Sequence, residues 1–264
     1  MSGLEGIDTL ETHFEDQHQD LTYADAARDR MLDLMGFGQV EFWDDLPNKT
    51  KTAEHHPIRG YLLANGIESN GRVLGLVYPG NPDLPATTVT TDVGGDSGPA
   101  GGHRAGDGDP VFVTEQLLDH SLNAALVRNG IAYAELYATM PLDLIRHMRG
   151  LIAQARSEKL GMWRSEDLTT SSRTALHDLA QLSTLTMFPK LYRRLVKYFK
   201  DPRHTDLAAF DTWIRDDPIH RDDTLLLPTG EFGNLHDLYD VNTDGITLRH
   251  QPEDVTFAPD PPVQ

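Results

Sequence analysis

The chain has 264 residues, no cysteine, and 41 acidic against 23 basic side chains, for a formal charge of −18. With 39% apolar and 24% charged residues it reads as globular, long enough for one large domain or two small ones. Excluded are a bilayer-spanning helix, which needs ~20 apolar residues in a row, and all disulfide, thiolate-metal, iron–sulfur and cysteine-nucleophile chemistry.

In chain order, a short strand-like run opens the sequence with neither a basic leader nor an apolar h-region, so a cytoplasmic location is expected. Residues 21–37 form an amphipathic helix, with Ala24, Ala27, Met31, Leu34 and Met35 at helical spacing and Gly36 and Gly38 to stop it. Residues 39–43 predict a strand. Residues 58–64 and 72–78 predict two more, paired as a hairpin through the turn signals Asn65, Gly66, Asn70 and Gly71. Residues 80–110 hold eight of the 22 glycines, four of the 16 prolines and five aspartates, the composition of a flexible insertion.

A short strand is expected at 111–113, a helix at 120–129 ended by Gly130, and a longer one at 141–160 between Pro141 and Gly161. Helices follow at 176–200 and 207–215, then short strands at 225–227, 235–241, 246–249 and 255–257, and a tail from 259 to 264.

Three motif matches fail on their context. Gly95-Asp96-Ser97-Gly98-Pro99 copies a serine-protease nucleophile segment, but no matching histidine segment precedes it. Asp240-Val241-Asn242-Thr243-Asp244-Gly245 copies half an EF-hand loop, but its twelfth position is Gln251, so an Asp-Gly turn is the better reading. His55-His56 lacks partners at metal spacing.

Gly6-Ile7-Asp8-Thr9-Leu10-Glu11-Thr12-His13 is more informative. A strand leads into a turn carrying Asp8 and Glu11, and two carboxylates three residues apart suit a hard divalent cation plus a general base. Later, Lys190, Arg193 or Arg194, and Lys197 line one face of a helix, with Leu191, Leu195 and Phe199 on another. That face is either a solvated basic side or a phosphate-tracking stripe in an otherwise acidic protein.

The turn is followed, in order, by Gly71-Arg72-Val73-Leu74, by Asn123-Ala124-Ala125-Leu126-Val127-Arg128-Asn129-Gly130-Ile131-Ala132, and by Ala155 through Gly161-Met162-Trp163. This series resembles the staphylococcal (thermo)nuclease family, built on an OB-fold barrel, and covers residues 6–163. The resemblance implies an α+β chain: a nuclease-like OB-fold domain over 1–165 with 80–110 inserted, then an α+β extension over 166–258.

It further implies phosphodiester hydrolysis in DNA or RNA with calcium. Asp8 and the Thr9 carbonyl would be metal ligands, Glu11 the general base, Arg72 a contact to the scissile phosphate, and Tyr137 part of a nucleotide pocket. Lys190, Arg193 and Lys197 would add backbone contacts. Two departures stand out. Gly3 occupies the place of a second catalytic arginine, and Leu10 replaces a proline. The first barrel strands and an upstream aspartate are also missing, as expected for a late start or for a degenerate relative kept as a binding or scaffold module. Strands between 225 and 257 are candidates to cover the barrel's open edge at 4–7. A general acidic interaction protein is the third reading, with no special role for Arg72.

Overall fold

The computed structural model describes residues 2–44, 46–56, 58–67, 71–80, 108 and 110–259. The insertion at 80–110 and the serine-protease-like segment within it fall almost wholly outside the described residues, as does most of the tail.

The fold is mixed α+β. Strands β1 (Ser2–Leu4) and β2 (Ile7–Asp8) precede helix α1 (Leu21–Leu34), which Asp20 caps by accepting from the Thr22 amide at 2.8 Å. Strands β3 (Phe37–Trp43) and β4 (Leu46–His55) form a separate antiparallel ribbon. Strand β4 is not legible in the sequence, because Lys49, Thr50, Lys51 and Thr52 show no apolar alternation.

Strands β5 (Gly60–Ile67) and β6 (Val73–Pro79) form the expected antiparallel pair, with Tyr61 opposite Tyr78. Asn65-Gly66 is not the turn, however. It sits inside β5 as a register irregularity between Ala64 and Gly66. Strand β1 adds to β6 in parallel, giving the order β1-β6-β5.

Helices α2 (Glu115–Asp119) and α3 (Leu122–Arg128) follow, then β7 (Tyr133–Ala134) and α4 (Leu142–Ser157). The strand expected at 111–113 is not formed, and these residues join no ladder among the described residues. Asn123, fully buried on α3, donates to the carbonyls of Glu5 (2.8 Å) and Gly75 (3.2 Å) and accepts from the Val77 amide. One side chain thereby satisfies the backbone where β1 leaves β6. Helix α4 turns Leu144, Ile145, Met148, Ile152 and Ala155 into the core.

After a two-residue strand β8 (Thr174–Ala175), the single helix expected at 176–200 is broken into α5 (Leu179–Leu182) and α6 (Pro189–Phe199). Pro189 explains the break: it cannot continue a helix but starts one readily at the first position. Helix α7 (Phe210–Arg215) and strands β9 (Thr224–Leu226), β10 (Phe232–Asn234), β11 (Tyr239–Asn242), β12 (Gly245–Leu248) and β13 (Thr256–Phe257) complete the chain. The strand expected at 235–241 is half 3-10 helix, over Leu235–Leu238. The Asp-Gly turn reading holds: Asn242 Oδ1 accepts from the Asp244 and Gly245 amides as β11 turns into β12.

Among the described residues the strands form five small sheets, and none closes into a barrel. The strands from β9 onward do not pair with residues 4–7. They form the sheets β10-β9-β13 and β11-β12-β8, and Phe257 bonds to the Leu136 carbonyl and the Ala138 amide beyond β7. One continuous apolar cluster runs from Ile7 to Phe257, so both halves of the chain contribute to the same core. No described helix is long and apolar enough to cross a membrane.

Gly130 and Gly161 meet where α3 ends. Both have positive φ, and a Cβ on Gly161 would lie 2.2 Å from the Gly130 carbonyl oxygen. Gly161→Ala should therefore cost at least ~2 kcal/mol. Gly150, exposed within α4 with open space around it, should behave oppositely, gaining about 0.5–1 kcal/mol as alanine. Urea unfolding of the two variants checks both signs.

Candidate functional site

Strand β2 pairs antiparallel with β7, Ile7 opposite Ala134 and Asp8 opposite Tyr133, and the Glu135 amide bonds back to the Gly6 carbonyl. Asp8 and Glu135 are thus diagonal neighbours on one face of the ribbon, close enough for each carboxyl to shift the other's pKa. The turn after β2 carries Glu11. Gln19, fully buried, holds that turn by accepting from the Glu11 amide (3.0 Å) and donating to the Met187 carbonyl (2.8 Å).

Helix α6 lies against these carboxyls. Arg193 donates from one terminal nitrogen to Glu11 (2.8 Å) and from the other to Asp8 (2.8 Å), with Glu135 at 3.6 Å. One turn earlier, Lys190 reaches Glu135 (2.9 Å), Asp223 (3.0 Å) and the Tyr137 hydroxyl (3.3 Å). Tyr137 donates to Glu135 at 2.5 Å, and Arg194 bonds to Asp223 at 2.8 Å. Tyr192, fully buried on the same helix, has a hydroxyl with no hydrogen-bond partner, and burial reinforced by the Glu11 charge raises its pKa.

Five of the residues singled out from sequence therefore meet: Asp8, Glu11, Tyr137, Lys190 and Arg193. Thr9 follows β2, half-buried beside the buried Leu10. Lys197 is exposed one turn beyond Arg193, 6.0 Å from the Phe14 ring centroid. Arg72 lies elsewhere. It is exposed just ahead of β6, level with the start of β1, and the guanidinium partner of Asp8 and Glu11 is Arg193. Lys190 is buried rather than solvated, and the α6 stripe faces the chain's own acidic turn: Arg193 on Asp8 and Glu11, and Lys200 3.6 Å from Glu15.

The sequence reading missed Glu135, Asp223 and Gln19. For Glu135 a signal existed, a lone charge in the apolar run from Ile131 to Leu136. Asp223 sits in an acidic pair with nothing to distinguish it, and Gln19 has no signal at all.

Electrostatics separate the two adjacent carboxyls. Burial raises the Asp8 pKa well above the carboxylate range, opposed by Arg193 and reinforced by the Glu135 charge. Burial acts on Glu135 too, but Lys190 and Arg193 together overcome it and hold that carboxyl well below its usual range. Burial disfavours charged Lys190, yet Glu135 and Asp223 win and keep it protonated. Four carboxyls (Asp8, Glu11, Glu135, Asp223) face three cations (Lys190, Arg193, Arg194). A proton kept on Asp8 makes the cluster neutral.

Calcium fits this arrangement poorly. The oxygens of Asp8 and Glu11 that would ligate it are engaged by the Arg193 guanidinium at 2.8 Å. Among the described residues no group of three or more His, Asp or Glu stands at metal-holding geometry.

No protein-family model matches the chain, and no curated protein matches it either.

A depressed pKa stabilises the fold above the unfolded value and is lost on acidification. Glu135 and Asp223 are both depressed, so stability should fall as pH drops below the unfolded carboxylate range of ~4. Glu135→Gln should cost roughly 3 kcal/mol at neutral pH, since it breaks a buried pair. It should also flatten that acid limb. Urea titrations at a series of pH values below neutrality measure both effects.

Proposed function

We propose that the chain is a phosphodiester hydrolase acting on DNA or RNA, a divergent relative of the thermonuclease-like family. Its working groups would be the cluster around Arg193. The observation that carries this reading is the convergence of Asp8 and Glu11 with Lys190, Arg193 and Tyr137, residues chosen from sequence for phosphate chemistry and separated by up to 185 positions.

The chemistry follows from the protonation states. Glu11 accepts a proton from the attacking water. Asp8, whose pKa burial raises, would supply one to the leaving oxygen. Arg193 uses two of its five N–H donors on carboxylates. We assign the remaining donors to a phosphoryl oxygen as negative charge develops on it. Supporting the barrel kinship is the parallel β1–β6 pair beside the antiparallel β6–β5 pair, the mixed pairing of the back half of an OB barrel.

A second reading has its own support. Every cation of the cluster already has a carboxylate partner. That is also how a purely structural network, in a binding or scaffold module descended from the same fold, would look.

Cleavage of fluorescent single-stranded DNA and RNA oligonucleotides by the full chain separates the two. The hydrolase reading expects turnover, with Glu11→Gln lowering it by ~10²-fold or more at temperatures where the variant remains folded. Activity should also fade as pH rises through the elevated Asp8 pKa, because the acid is then lost. Absence of cleavage of either polymer across a broad pH range would leave the structural reading standing.

A further inference from the structure

We propose that Arg193 is a built-in replacement for a divalent cation, so that the carboxylates at the β2–β7 ribbon are neutralised from within the chain and take no metal. This goes beyond the hydrolase reading and holds whether or not the cluster cleaves phosphodiesters.

The carboxyls are arranged around the guanidinium rather than at metal-holding geometry. Three carboxyls from two separate segments surround one guanidinium: Glu11 and Asp8 at 2.8 Å and Glu135 at 3.6 Å. The fork matches two acceptors at once, one through each terminal nitrogen, which a point cation bridges by direct coordination instead. Oxygen ligands of calcium must close to about 2.3–2.6 Å on the metal. The guanidinium nitrogens hold that space.

Nor is Arg193 placed by flexible chance. Its neighbours Leu191, Tyr192, Leu195 and Val196 are fully buried, so α6 is locked in the core and the side chain leaves it at a fixed point. Lys190, one turn back, brings a second positive charge onto Glu135 at 2.9 Å. Both cations raise the electrostatic cost of placing a further divalent charge among these carboxyls.

Thermal unfolding of the full chain, with calcium chloride or chelator at matched ionic strength, tests the assignment. The wild-type midpoint should be indifferent to calcium. A rise that an Glu11→Gln variant shares counts as diffuse binding to an acidic protein, and so as no metal at the cluster. Arg193→Met should lower the midpoint by several degrees in chelator and regain most of the loss in millimolar calcium, while Arg193→Met/Glu11→Gln should regain none.

A saturable calcium-dependent rise in wild type that Glu11→Gln abolishes would overturn the proposal. So would an Arg193→Met protein whose midpoint ignores calcium. Should Arg193→Met not fold in either buffer, Arg193→Lys keeps one charge without the fork. Calcium must then raise its midpoint more than that of wild type, and an equal response would refute the assignment. Because the readout is a midpoint, the result is distinct from any failure to observe cleavage.

Discussion

Seven ionisable side chains from four stretches of sequence meet in a half-buried space between the β2–β7 ribbon and α6, and neutralising them constrains the whole molecule. Taking a single carboxylate or ammonium out of water costs several kcal/mol even after relaxation. No arrangement that left one of them unpaired would survive beside a net stability of about 5–15 kcal/mol. The turn after β2 must therefore face α6, α6 must present Lys190 and Arg193 together, and Asp223 must return to meet Lys190 and Arg194. These pairings explain why the two halves share one core.

The same constraint changes what the net charge of −18 means. The positive residues of α6 do not form an open field over an acidic protein. Arg193 is spent on Asp8 and Glu11, Lys190 on Glu135 and Asp223, and Arg194 on Asp223, while Lys197 stays exposed. A polyanion approaching this face meets a locally neutral site rather than a strongly attractive one. Long-range attraction of anions to this face is correspondingly small.

What sequence reasoning reached and what it missed divide along the range of the interactions. Helix α4, bounded by Pro141 and Gly161, and α1 with its Asp20 cap rest on local periodicity and capping. The β11–β12 turn rests on the side chain of Asn242. Pairings between distant elements were not legible: β4 is a strand only because β3 lies beside it, and the strand expected at 255–257 gave no sign that it would meet β9 and residues beyond β7. The site divides likewise. Asp8 and Glu11 were nominated from their turn, and Lys190 and Arg193 from their helix face. That these two sets are each other's partners is a tertiary fact no local pattern encodes. Glu135 and Asp223 were missed because a single acidic residue acquires meaning only from the cation opposite it.

Asp8 and Glu135 show how much the partner decides. They are the same functional group, at diagonal positions of one ribbon, and burial pushes both toward the protonated form. Glu135 receives Lys190 at 2.9 Å and the Tyr137 hydroxyl at 2.5 Å in addition to the more distant Arg193. Asp8 has Arg193 alone to set against its own burial and the Glu135 charge. The extra cation and donor lower the Glu135 pKa, while burial raises that of Asp8. One acid and one base thus stand side by side, separated in protonation by the placement of Lys190 one helical turn from Arg193, with no difference in their intrinsic chemistry.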